Sequence, residues 1–203
     1  MRSPIRTLVN FDRNLTAVQI QNIFSDLPVL ETDRLLLRKL NWEDTNDMFE
    51  YASDPEVSQW TTWSVHESIA DTKTFLNAVI NEYANHEVSP WGIQHKADGK
   101  IIGTCGFVDW IYNDDRAEVG YALSRKYWGK GYMTEAVRAV IDFGFRTMEL
   151  NRIEARCKIE NIASARVMEK VGMQFEGILR EHLFAKGSYH DLKIYAILWK
   201  EWD

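Results

Sequence analysis

The chain has 203 residues, enough for one sizeable hydrophobic core and too few for two. An apolar fraction of 45% and a charged fraction of 27% are those of an ordinary folded domain, which sets aside disordered and low-complexity classes. A net charge of -6 excludes a protein that grips nucleic acid through bulk positive charge, and no apolar run approaches the roughly 20 residues that span a bilayer. Two cysteines, Cys105 and Cys157, lack metal-ligand spacing and are too few for a disulfide framework, so a reducing compartment is expected. The N-terminal stretch MRSPIRTLVNFDRN is basic without an apolar h-region and does not read as a secretory signal, so the expected location is the cytoplasm.

Residues 1–28 read as an N-terminal extension, with Leu15, Val18, Ile23 and Phe24 at loose helical spacing for a short helix. Residues 29–203 read as one domain. DRLLLRKL, Asp33–Leu40, is a compact apolar run expected to form a strand. Asn41 is placed to cap a helix with acidic residues in its first turn, stopped by Asp54-Pro55. Ser64–Glu67 has capping-box spacing before a second amphipathic helix carrying Ile69, Leu76, Ile80 and Tyr83.

Strands follow. WGIQHKA alternates, Asp98-Gly99 makes a hairpin turn, and KIIGTCGFVDW returns. In AEVGYALS, Glu118, Gly120, Ala122 and Ser124 share one face, and Val119, Tyr121 and Leu123 the other. MTEAVRAVIDFGFRTM is helical, NRIEARCKI a strand, and ENIASARVMEKVG a short helix ended by Gly172. FEGILREHLFA and SYHDLKIYAILWKEW close the chain as a hairpin turning at Lys186-Gly187. This order gives an α+β domain around a mixed, mostly antiparallel sheet.

Gly129 and Gly131 stand immediately before the third helix, with Lys126 and Lys130 beside them. A helix N-terminus leaves backbone N–H groups unpaired and carries partial positive charge, and glycines let an anion approach them. The spacing is neither a P-loop nor the three-glycine dinucleotide fingerprint. A tight strand-to-helix turn is the alternative reading of the same residues. None of the five histidines has the spacing of a helical metal site, and no metal is expected.

Taken together, AEVGYALSRKYWGKGYMTEAVRAVIDFGF and NRIEARCKIENIASARVMEKVGMQFEGILRE resemble the core of the GNAT superfamily of acyl-CoA N-acyltransferases. ETDRLLLRKL and GSYHDLKIYAIL are similar to the opening strand and closing hairpin of its RimJ/RimL-type branch. The resemblance implies a sheet of six to seven strands flanked by about four helices, with splayed central strands. It implies that the loop backbone from Trp128 through Gly129, Lys130 and Gly131 to Tyr132 holds the pyrophosphate of acetyl-CoA, with Thr134 in the following turn. Lys126 stands where the family pattern has Gln or Arg, keeping the charge without the planar fork. Backbone groups of Tyr121, Ala122 and Leu123 are implied to bond the pantetheine arm and the thioester oxygen.

Asn161 and Ser164 lie on one side of the next helix's first turn. The resemblance implies that Asn161 contacts the coenzyme arm and that Ser164 lies near the sulfur as a proton donor. Other branches place a tyrosine one turn later, where this chain has Met168. Plain N-capping is the alternative for both residues. Glu118 is the first candidate for the base that deprotonates an amine, the alternative being an ion pair with Arg116. Asp191, His182 and His190 are weaker candidates. Cys157 reads as a small buried strand residue rather than a nucleophile. Trp60 and Trp63 either line an acceptor pocket, where rings attract a cationic amine, or cap the core.

The function implied is an N-acetyltransferase acting on a protein N-terminus or a small amine by direct attack in a ternary complex. Its partners are acetyl-CoA and the acceptor, with no nucleic acid or membrane. A non-catalytic acyl-CoA-binding module is the alternative, followed by a protein-interaction domain. Many members of the family dimerise, so a homodimer is the oligomer the resemblance implies, but nothing in this sequence marks an interface.

Overall fold

The computed structural model describes residues 23–24 and 26–202. Most of the helix expected within the N-terminal extension lies outside them. Phe24 and Leu27 are buried in the core, the Phe24 ring meets Trp110 at a tilt of 55°, and the Pro28 carbonyl accepts a hydrogen bond from Trp91 Nε1 at 2.7 Å.

One open sheet of eight strands organises the domain, in the order β1-β2-β3-β4-β5-β6-β8-β7. The strands are β1 (Leu30–Glu31), β2 (Leu35–Arg38), β3 (Trp91–His95), β4 (Ile101–Ile111), β5 (Arg116–Leu123), β6 (Arg152–Lys158), β7 (Gln174–Ala185) and β8 (Ser188–Leu198). Among the described residues five complete helices surround them: α1 (Thr45–Ala52), α2 (Pro55–Ser58), α3 (Ile69–Ala84), α4 (Tyr132–Arg146) and α5 (Ile162–Lys170). The count exceeds the expected six to seven strands by the two-residue β1, too short to show alternation. It exceeds the expected four helices by α2, in which Asp54 caps and Pro55 opens a new turn rather than only ending the old one.

Local chemistry explains most element ends. Asn41 Oδ1 accepts the Glu43 N–H at 2.8 Å, and Asp44 Oδ2 accepts the Asn41 N–H at 2.8 Å, starting a 3-10 turn that runs into α1. The capping box expected at Ser64–Glu67 does not form. It sits one turn later, where Asp71 accepts the Ser68 N–H at 2.9 Å and the Ser68 hydroxyl at 3.1 Å. Ser64 and Ser68 carry the same spacing to an acid, and tertiary contacts decide between them: the His66 N–H bonds the Ala52 carbonyl at 3.1 Å and holds that segment against α1.

Every neighbouring pair of strands is antiparallel except β5 and β6. A parallel pair needs a crossover, and α4 supplies it. Its apolar face, with Ala136, Val137, Val140 and Ile141, is fully buried. Gly144 completes that face: a Cβ there would lie 2.7 Å from Phe107 and 2.8 Å from Ile153, so the helix packs closer than any larger residue permits. This close packing fixes where the N-terminus of α4 points.

Candidate active site

Strands β5 and β6 pair only at Arg116–Arg152, Ala117–Ile153 and Glu118–Glu154. Beyond Glu118, β5 stays bonded to β4 as far as Leu123, while β6 stays bonded to β8 as far as Lys158. The two strands therefore part, and the β6-facing edge of residues 119–123 loses its ladder. Unpaired backbone groups at a cleft are an attachment site for a ligand that brings its own amides. A cavity of about 510 Å³ opens there. It is lined by Val119 to Leu123, by Arg156 and Cys157, by Trp128, Gly129 and the start of α4 from Gly131 to Thr134, by α5 at Asn161, Ser164 and Val167, and by Glu56, Gln59, Trp60 and Thr61.

Gly129 and Gly131 have φ of 73° and 82°, a left-handed conformation that costs other residues free energy. No side chain caps α4, and its first backbone bond runs from the Glu135 N–H to the Gly131 carbonyl. The amides before it have no partner within the helix. A Cβ on Gly129 would meet nothing within 4 Å, and one on Gly131 would meet only Arg34 Nη2 at 3.5 Å. The space above the loop is open, which fits a diphosphate placed on these amides.

A network on the far side pins the loop. Arg34 Nη1 donates to the Lys130 carbonyl at 3.0 Å, and the Arg34 guanidinium lies 4.4 Å from the Tyr132 ring centroid. Glu135 accepts from Arg34 Nε at 2.7 Å, the Arg34 N–H at 2.9 Å and the Thr32 hydroxyl at 2.6 Å. Trp128 Nε1 donates to the Leu123 carbonyl at 2.7 Å. Lys126 and Lys130 are not part of the cavity wall. Lys126 Nζ is paired with Glu50, and Lys130 Nζ donates to the Lys126 carbonyl at 2.9 Å. Positive potential at the loop thus comes from the helix terminus more than from these side chains.

At the other end of the cleft, Asn161 Oδ1 caps α5 by accepting the Ser164 N–H at 3.0 Å. Ser164 Oγ lies 2.9 Å from Tyr121 Oη, reached from the opposite wall. Burial pushes the Tyr121 phenol well above its usual range, so it stays protonated as a donor. Met168, one turn after Ser164 and without a proton to donate, is fully buried. Cys157 lines the same space, and burial raises its thiol, against Lys193 and Ser164, away from the thiolate that nucleophilic chemistry needs.

Glu118 stands just outside the cavity wall, at the point where the strands part. Its partner is Arg156 Nη2, not Arg116, which faces Asp114 and Glu154 instead. Arg156 Nη1 also lies 2.7 Å from His182 Nε2. Burial raises the Glu118 carboxyl above the usual 4.5, Arg156 opposes, and the carboxylates of Glu154 and Asp109 push the same way as burial. Asp191 is used structurally, accepting the Glu181 N–H at 2.7 Å, and His190 lies 3.1 Å from the Ala185 carbonyl. Trp60 lines the cavity, whereas Trp63 packs on His66.

The family motif implicates Tyr121 only through its backbone, and nothing in it points to Arg156. Strand alternation held the signal for Tyr121, because it sets that side chain on the face away from Glu118. Arg156 had no such signal, since its contact with Glu118 spans 38 positions. Among the described residues no group of His, Cys, Asp or Glu side chains could hold a metal ion, and no helix is long and apolar enough to cross a membrane.

Comparison with known proteins agrees with this architecture. Residues 34–174 match the acetyltransferase (GNAT) domain. The chain is 35% identical over 176 residues to the uncharacterised N-acetyltransferase p20 of Bacillus licheniformis, covering 87% of this chain and 99% of that one. A GNAT-family acetyltransferase of known structure from Bacillus anthracis superposes with a TM-score of 0.77 at 31% identity, over 86% of this chain and 100% of the other. RimL, a ribosomal L7/L12 alpha-N-protein acetyltransferase solved with coenzyme A, shares the fold at 20% identity with a TM-score of 0.74, over 84% and 98% of the two chains. With the parted strands, the open glycine turn and these likenesses, the chain belongs to the GNAT family of N-acetyltransferases.

Proposed function

We propose that the protein transfers an acetyl group from acetyl-CoA to a primary amine, either a protein N-terminal α-amine or a small-molecule amine, by direct attack in a ternary complex. The observation that carries this reading is the parting of β5 from β6 after Glu118, with a pair of hydroxyls, Tyr121 and Ser164, facing each other across the gap. Acetyl-CoA supplies the activated acyl group. The amides between Trp128 and Tyr132, with Thr134, hold its diphosphate at the N-terminus of α4. Asn161 and the backbone of Tyr121, Ala122 and Leu123 at the parted edge hold the arm, the Leu123 carbonyl being already taken by Trp128 Nε1, and one strand N–H polarises the thioester oxygen, a contribution of about 3 kcal/mol.

Ser164 donates a proton to the departing sulfur, and Tyr121, held protonated by burial, orients that hydroxyl. Glu118 takes the proton of the amine through water, its affinity for that proton raised by burial and moderated by Arg156. Trp60 offers an aromatic wall to the cationic acceptor before it loses its proton. The acceptor range of the RimJ/RimL-like enzymes, protein N-termini, is the first to test.

The test is an acceptor screen with acetyl-CoA, reading release of the free thiol against a panel of N-terminal peptides, amino acids and polyamines. Thiol release that depends on both protein and amine supports the reading. Binding of acetyl-CoA without release for any amine overturns it in favour of a non-catalytic acyl-CoA-binding module.

A further inference from the structure

Two lysines lie beside the cleft with no acid among the described residues to meet them. Lys158, the last residue of β6, is 9% exposed, and its Nζ donates to the Gln59 carbonyl at 2.9 Å. Lys186, in the β7–β8 turn, donates to the neighbouring Ser58 carbonyl. Neither ammonium forms an ion pair among the described residues, and each carries three N–H donors for the one acceptor it has found. Burial pulls Lys186 below its ordinary pKa, and Lys158 adds to that effect, so the two charges feel one another.

Two cations drawn together against backbone carbonyls are unfavourable unless an anion joins them. The arrangement is more marked because the chain as a whole carries a net charge of -6. It adjoins the cavity directly: Gln59, whose carbonyl Lys158 holds, and Trp60 both line it, as does Arg156, two residues from Lys158 on the same face of β6.

We propose that Lys158 and Lys186 form the anion-binding part of the acceptor site, so that the acceptor is an amine that also carries a carboxylate. This rests on the acetyl-transfer reading and names its substrate class. Trp60 and Glu118 receive the amine, and the lysine pair receives the carboxylate, setting the amine's distance from the thioester through two anchored ends. A free amino acid and a peptide with acidic residues after its first position present the same chemistry.

The test compares matched pairs that differ only in charge: glutamate against glutamine amide, and the peptide amides Ala-Glu-Glu-Ala and Ala-Gln-Gln-Ala. Both kcat/KM in thiol release and Kd by calorimetry in the presence of coenzyme A are read. The expected result is a preference of at least about tenfold for the acidic member of one pair or both. Preference in the amino-acid pair alone assigns a small acceptor, and preference in the peptide pair alone assigns a polypeptide. In Lys186→Met, which changes an exposed turn, and in Lys158→Met, that ratio collapses toward one. Equal use and equal binding of acidic and neutral members overturns the proposal, as does a preference that survives in both variants. If no amine is turned over, the transfer reading fails, while the ratio of Kd values still decides whether the lysine pair binds a carboxylate.

Discussion

Tyr121 Oη stands 2.9 Å from Ser164 Oγ and 3.3 Å from the Ser164 carbonyl oxygen, joining β5 to the first turn of α5 across the cleft. The contact gives Ser164 a fixed orientation and a partner that burial keeps protonated. Ser164→Ala is expected to lower kcat by roughly 10²-fold, within the range for a lost proton donor, with coenzyme affinity little changed. Tyr121→Phe is expected to lower kcat by about tenfold, and the double variant to be no worse than Ser164→Ala alone, because residues acting as a unit are not additive. Steady-state kinetics with coenzyme Kd values check this. Independent, additive losses would separate the two hydroxyls.

The glycine turn carries the coenzyme prediction. Gly131→Val places a β-branched residue at φ of 82°, where the surrounding protein offers space but the backbone does not favour it. Affinity for coenzyme A is expected to fall at least about tenfold, since the new side chain occupies the anion's approach. Thermal unfolding should shift only by the backbone strain of about 1–2 kcal/mol. Unchanged affinity measured by calorimetry removes the loop from the binding site.

Much of this is legible in the sequence. The Asp98-Gly99 and Lys186-Gly187 turns, the alternation of β5, the cap at Asn161 and the two positive-φ glycines all rest on local chemistry that sequence states directly. What was not legible depended on tertiary choice. Ser64 and Ser68 offer the same cap spacing, and only the contact of His66 with α1 selects the second. Glu118 has Arg116 near in sequence, yet it pairs with Arg156 because β6 lies parallel beside it and brings that guanidinium closer. Lys126 carries charge near the loop but spends it on Glu50, a partner 76 positions away.

Glu118 ties rate to pH. Its folded pKa lies above 4.5, so the native state retains the proton over a window where the unfolded chain has lost it. Its contribution to stability therefore falls as pH rises from the ordinary glutamate value through the raised one. The same ionisation generates the base, so kcat/KM should rise with pH across that window. Glu118→Gln is expected to lower kcat/KM about 10²-fold and to remove this acidic limb. Retention of both rate and limb would leave Glu118 as only the partner of Arg156.

Glu135 shows the opposite sign. Burial pushes its carboxyl up, but hydrogen bonds from the Thr32 hydroxyl and from Arg34 outweigh burial and hold it below 4.5. Its stabilisation is present above the ordinary glutamate value and is lost as pH falls through the lowered one. Glu135→Gln should cost about 1–3 kcal/mol, because charge-assisted bonds to Arg34 and Thr32 are weakened. By releasing Arg34 from its position on the Lys130 carbonyl, it should also weaken coenzyme binding. Denaturant unfolding at neutral and acidic pH, with calorimetry, reads both effects.

The most direct measurement is a crystal structure with acetyl-CoA bound. The expected result places the diphosphate on the amides between Trp128 and Tyr132, the arm along the free edge of β5, and the sulfur within hydrogen-bond reach of Ser164. A coenzyme bound elsewhere, or a sulfur remote from both Ser164 and Tyr121, would contradict the site.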